Sequence, residues 1–197
     1  MTLKTKALTF FFLIFTLTSC SPKLTFTDIE KRINEDYTAF NDGNVEYELK
    51  NTPKEYIKEY GANGLKEKFH RIYENRTNQP YFSDIGELRI QDRSKCNSTY
   101  YYKVKYTVDK VQMTPYLDSI ALKFNENEYG KENVDFNSNS KLLQIRQKKE
   151  KLLVYDKDKN WKLLNYNSNM QYLNRYFGKE FSECIQLKVK NSNYITY

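Results

Sequence analysis

Thr99-Tyr-Tyr-Tyr-Lys-Val-Lys-Tyr-Thr-Val108, TYYYKVKYTV, alternates Tyr102, Val104, Tyr106 and Val108 with Tyr101, Lys103, Lys105 and Thr107. A strict period of two over this length is a half-buried β-strand with one apolar and one wet face. The same period recurs upstream, where Leu88 and Ile90 alternate with charged residues over 86–92. It recurs downstream, where 141–155 and 160–166 flank Asp156-Lys157-Asp158-Lys159-Asn160 as a hairpin. Leu153, Tyr155, Trp161 and Leu163 are its expected packed side chains. Between these strands, Ser119–Phe124 reads as one more short segment, followed by a mobile polar loop, NENEYGKENVDFNSNS.

The period ahead of residue 81 is 3.6. Ile29, Ile33, Tyr37 and Phe40 fall on one face, behind a capping box at Thr27–Glu30, and predict a helix over 28–41 that Asp42-Gly43 stops. A second box, Thr52-Pro53-Lys54-Glu55, opens another helix ending at Gly61. Leu65, Phe69, Ile72 and Tyr73 place a third over 64–75. A last helix is expected over 169–177, with Met170, Leu173 and Phe177 inward; the tail from Ile185 reads equally as edge strand or disorder. Helices followed by a meander of strands specify an α+β domain, with the N-terminal helices on one face of a curved antiparallel sheet.

The first twenty residues, MTLKTKALTFFFLIFTLTSC, have the form of an export leader: two lysines, an apolar run from Ala7 to Leu17, then small residues and Cys20. The run is about eleven residues, too short for a hydrocarbon core that needs roughly twenty. Leu17-Thr18-Ser19-Cys20 is similar to the lipobox of bacterial lipoproteins. That resemblance implies cleavage after residue 19 and lipid attachment, palmitate included, at Cys20, with 20–26 as tether, a domain over 27–184 and a tail over 185–197. Ser21 after the cysteine and the lack of an acidic run in SPKLTFT resemble lipoproteins of the outer membrane that face the periplasm.

Loss of the leader leaves about 178 residues with 30 Lys plus Arg against 25 Asp plus Glu, enough chain for one cored domain. Basic and acidic residues interleave, as in KEYIKEY and LKEKFHR, which argues against a nucleic-acid stripe. Export leaves Cys96 and Cys184, 88 positions apart, either as a disulfide or as two buried thiols.

AFNDGNVEY after the first helix, FHRIYE, TYYYKVKYTV and YDKDKNWKLL together resemble the NTF2-like (SnoaL, ketosteroid-isomerase) cone across most of 27–166. The resemblance implies a pocket between helices and sheet, and dimerisation through the sheet. In its isomerase branch it also implies an in-pocket carboxylate with a Tyr or Asp oxyanion donor. Asp36, Asp84 and Glu87 stand near such positions, but none matches a family motif, so no catalytic residue is assigned.

His70 is the only histidine, and its neighbours Lys68 and Arg71 disfavour its charge, so it reads as a surface or helix-packing residue. Asp156, Asp158 and Asn160 begin like a calcium loop but lack the later Gly and Glu. NRT at 75–77 and NST at 97–99 fit a glycosylation pattern that a bacterial leader makes irrelevant. No metal cluster, nucleophile constellation or phosphate loop is present, so no cofactor is expected. The expected function is a membrane-anchored, non-catalytic binding domain for a small apolar ligand or an envelope protein partner. An envelope isomerase or hydrolase, and a structural or assembly lipoprotein docking through an exposed Tyr face, stand as alternatives.

Overall fold

The computed structural model describes residues 23–74, 79–155, 159–166 and 171–192. Helices α1 (Phe26–Asp42), α2 (Val45–Asn51), α3 (Lys54–Tyr60) and α4 (Ala62–Glu74) precede strands β1 (Tyr81–Phe82), β2 (Leu88–Cys96) and β3 (Thr99–Met113). Helix α5 (Ser119–Tyr129) and a 3-10 turn lead into β4 (Val134–Asn137), β5 (Leu142–Tyr155) and β6 (Trp161–Asn165). Helices α6 (Gln171–Phe177) and α7 (Lys179–Ser192) follow. The class is α+β, with one antiparallel six-stranded sheet.

Local chemistry sets the helix ends, in places differently from the sequence reading. The α1 box forms two residues earlier than Thr27–Glu30. Thr25 is extended, its hydroxyl oxygen accepts the Asp28 N–H at 3.1 Å, and the Asp28 carboxylate accepts the Thr25 N–H at 2.9 Å. Gly43, at φ 69°, closes α1 in the left-handed region that glycine adopts without strain. Immediately after it Asn44 caps α2, an element the sequence reading does not assign. The predicted box at Thr52–Glu55 does not form. Thr52 ends α2, and its hydroxyl donates to the Glu48 carbonyl at 2.7 Å, which leaves Pro53 to open α3 without a side-chain cap.

β3 and β5 form the spine, paired from Tyr101↔Val154 to Met113↔Leu142. β1 and β2 lie end to end along the free edge of β3; β4 and β6 lie end to end along the free edge of β5. Gly86 lies against β3: a Cβ there would stand 2.5 Å from the Thr107 hydroxyl, and the Gly86 N–H donates to the Thr107 carbonyl at 2.9 Å.

Register sends alternate residues into two cores. Tyr102, Val104, Tyr106, Val108 and Leu153 meet Ile29, Ile33 and Tyr37 of α1, with Trp161 at one end. Tyr101, Leu152, Val154 and Leu164 meet Leu173, Phe181 and Ile185 of α6 and α7 on the other face. The N-terminal helix α1 packs on one face, as the sequence reading places it, and α6 and α7 cover the other, which that reading leaves bare. The first third of β3 is buried on both sides, and its wet face begins only beyond Lys103.

Two further expectations fail. Ser119–Tyr129 is a helix rather than a strand and loop, because Asp118 caps it by accepting the Ala121 N–H at 2.7 Å and Gly130 ends it. The stretch past Ile185 is helical to Ser192, since Ile185 is fully buried against the sheet. At the other end of the spine, where Met113 pairs with Leu142, the apolar side chains Met113, Tyr116, Ile120 and Phe124 are exposed.

Candidate functional site

A cavity of about 1020 Å³ lies between the helical layer and the sheet. Its helical wall follows from the amphipathic periods. Asp36, Tyr37 and Phe40 line the cavity from a single turn of α1, Glu48 from α2, Tyr56 from α3, and Phe69, Ile72 and Tyr73 from α4. Phe82 of β1 closes one side, held by two hydrogen bonds to Asn41: the Phe82 N–H donates to Oδ1 at 2.9 Å and its carbonyl accepts from Nδ2 at 2.6 Å. Rings pack edge to face across this wall, Phe40 against Tyr73 at 6.0 Å and against Phe82 at 5.4 Å between centroids. At the mouth, Tyr56 stacks with Tyr60 at 4.5 Å and meets Tyr176 edge-on at 5.3 Å.

The sheet supplies the polar floor. Lys151 of β5 points to the α1 side and donates to Asp36, and both side chains are largely buried, at 9% and 18% exposure. The Lys151 ammonium also lies 5.4 Å from the centre of the Tyr37 ring. Tyr37 and Tyr106 share a hydroxyl–hydroxyl hydrogen bond of 2.9 Å inside the core. Burial pushes the Tyr37 phenol up to about 12, and burial together with Tyr37 pushes Tyr106 higher still, so both stay protonated. On the opposite face Lys103 pairs with Glu150 at 3.0 Å and lies 4.3 Å from the Tyr166 ring centre.

Glu48 and Tyr73 form a second polar pair. The Tyr73 hydroxyl donates to the Glu48 carboxylate at 2.7 Å. Burial first, then the charge of Asp36, holds the Glu48 carboxyl above its ordinary value, while the Tyr73 hydrogen bond and Lys151 oppose that rise. The cavity thus contains a carboxyl within hydrogen-bond reach of a phenol, the arrangement that separates a general-acid site from a purely apolar pocket.

Of the residues singled out from sequence, Asp36 lines the cavity, whereas Asp84 and Glu87 are exposed, Glu87 beside Arg89 at 3.3 Å. His70 is exposed on α4. Cys96 and Cys184 are joined, with their Cα atoms 5.9 Å apart, far from the cavity on the α7 side. Cys20, Asp156 and Asp158 lie outside the described residues, and Asn160 is exposed. Among the described residues no cluster of three His, Cys, Asp or Glu could hold a metal, and no helix is long and apolar enough to cross a membrane. Glu48 and Lys151 escape the sequence reading, which takes Tyr73 only as an apolar-face residue of the third helix. The Asn44 cap that starts α2 is the signal that could have placed Glu48 on a helix facing Asp36.

Comparison with protein-family models, with curated proteins and with solved structures returned no match.

Proposed function

We propose that this domain is a binding module that takes the apolar part of a ligand into the cleft between α1–α4 and the sheet, carried at a membrane by a lipid on Cys20. The single observation that supports it most is the lining. Phe40, Tyr56, Phe69, Ile72, Tyr73 and Phe82 converge on a cavity of about 1020 Å³, the size of a small-molecule site, with a few charged groups placed among them. Rings already locked edge to face lose little freedom when a ligand packs against them. Export and anchoring are supported by MTLKTKALTFFFLIFTLTSC, and the NTF2-like cone by the helix-on-sheet cleft.

The test uses Nile red, a neutral apolar dye, with the domain from residue 21 onward. Fluorescence is expected to rise on binding, to fall several-fold in Tyr56→Ala with the circular dichroism unchanged, and to persist in Phe124→Ser, which alters the exposed far end. Dye binding that survives Tyr56→Ala and is lost in Phe124→Ser overturns the reading.

A second reading is an envelope enzyme of the isomerase or hydrolase type, and the Glu48–Tyr73 pair favours it, since burial strengthens the hold of the Glu48 carboxyl on a proton beside a phenol within hydrogen-bond reach. The two readings part on the fate of the ligand: a binding module returns it unaltered by mass and retention time, whereas an enzyme converts it and loses that conversion in Glu48→Gln.

A further inference from the structure

We propose that the cleft takes an amphiphile with one negative charge, a monocarboxylate on an apolar body, and that Lys149 receives the carboxylate while the body lies against the rings of α1, β1 and α4. This rests on the cleft being a binding site and names the class of ligand that fills it.

The pleat of β5 positions the lysine. Lys151 pairs with Asp36 of α1 and lies 5.4 Å from the Tyr37 ring centre, so its side chain points to the α1 face. Side chains two residues apart along a strand share a face, and Lys149 lines the same cavity. In register it stands opposite Tyr106, and cross-strand neighbours on one face bring their Cβ atoms to roughly 5 Å. The Tyr106 hydroxyl is bonded to that of Tyr37 at 2.9 Å. The Tyr37 ring lies 5.0 Å from Phe82, which meets Phe40 at 5.4 Å. A row of rings therefore runs from beside Lys149 into the helical wall. An ammonium at one end and rings along the rest complement an anionic head on an apolar body.

The charges of the cavity single out this lysine. Asp36 is held by Lys151, Glu150 by Lys103 at 3.0 Å on the opposite face, and Glu48 by the Tyr73 hydroxyl at 2.7 Å. Lys149 forms no ion pair among the described residues. The rest of the chain supplies no counter-charge either. Segments 1–22, 75–78, 167–170 and 193–197 contain no Asp or Glu, and Asp156 and Asp158 follow Tyr155, itself six residues or roughly 20 Å along β5 from Lys149.

Although Lys149 is exposed at the cavity rim, partial burial and then the charges of Lys110 and Lys151 set its ammonium below the ordinary value. A carboxylate bound there relieves that repulsion. Asp36 and Glu48 line the same cavity and disfavour a second negative charge on the ligand, which selects a monocarboxylate over a doubly charged phosphate monoester.

The experiment uses the full chain in lipid nanodiscs and isothermal titration calorimetry with 4-phenylbutyrate and its neutral counterpart 4-phenylbutan-1-ol, with the heat of empty nanodiscs subtracted. The carboxylate is expected to bind about fivefold or more tightly than the alcohol. Lys149→Met keeps the length of the stem and removes the charge, and is expected to make the two ligands equal. Lys149→Arg restores the preference. Lys105→Met removes a like charge from the opposite face of β3 and keeps the preference. Equal binding of the two ligands by the unaltered chain overturns the proposal, and so does a preference that survives Lys149→Met or that Lys105→Met abolishes to the same degree. Failure of both ligands to bind, in a protein that still takes up Nile red, overturns it while leaving the cleft reading in place. Failure of both ligands and the dye overturns the cleft reading as well.

Discussion

Three lysines are buried in the sheet, Lys103, Lys151 and Lys162, and each has a partner: Glu150, Asp36 and the Lys50 carbonyl, the last at 2.6 Å. A buried ion is tolerated only when paired, so removing one partner strands the other. Lys151→Met is expected to cost about 3–5 kcal/mol by leaving Asp36 without its cation, and Asp36→Leu added to it to recover most of that loss. Urea unfolding of the single and double variants measures this, and a double variant no more stable than the single one contradicts it. Glu48 yields a pH dependence. Its folded value lies above the ordinary 4.5, so the fold favours the neutral carboxyl. That contribution is complete below the unfolded value and is lost as pH rises through the folded one. Glu48→Gln keeps a neutral group in place and should therefore raise the thermal midpoint at pH 7 while changing it little at pH 4. Equal shifts at both pH values would show that Glu48 is not the titrating group. Asp36 is legible from sequence only as one of three carboxylates near positions that the family resemblance implies, with nothing to single it out from Asp84 and Glu87. Lys151 is not legible, because a lysine at a strand's inward position reads as wet until its partner's helix is placed above it.

Among elements, those with long uninterrupted periods are legible and those fixed by caps or by distant partners are not. Tyr102 to Val108 and the run Ile29, Ile33, Tyr37 specify β3 and α1 directly, and the β5–β6 hairpin follows from its two apolar runs. In α5 the alternation of Ile120, Leu122 and Phe124 mimics a strand, and the Asp118 and Gly130 caps decide otherwise. For α7 the deciding partner is remote: Phe181 and Ile185 bury against Tyr101 and Leu152, and Cys184 ties the helix to Cys96 at the end of β2. A crosslink between residues 88 apart removes much of the unfolded chain's freedom, about 4 to 5 kcal/mol in the chain-entropy account. Cys184→Ser should lose most of that in urea unfolding and free α7 first, seen as faster amide exchange over 179–187. Unfolding at an unchanged midpoint would mean that apolar burial alone docks the helix.

Across the whole molecule, anchor and cleft fit one arrangement. The Leu24 N–H donates to the Tyr102 hydroxyl at 3.0 Å, which fixes the start of α1 at the end of the sheet where β2 turns into β3 and β5 into β6. The proposed lipid on Cys20, a few residues before Leu24 in sequence, would set this end toward the bilayer and the exposed apolar residues Met113, Ile120 and Phe124 away from it. Cys20→Ser should abolish incorporation of an alkyne-labelled palmitate and release the chain from the membrane fraction, and unchanged labelling would remove the anchor from the account. The central claim is that the cleft holds a ligand. Native mass spectrometry of the chain purified from envelope extract, set against its denatured mass, tests that claim most directly. A bound mass is predicted that disappears on denaturation and in Tyr56→Ala, whereas identical native and denatured masses for the unaltered chain would contradict it.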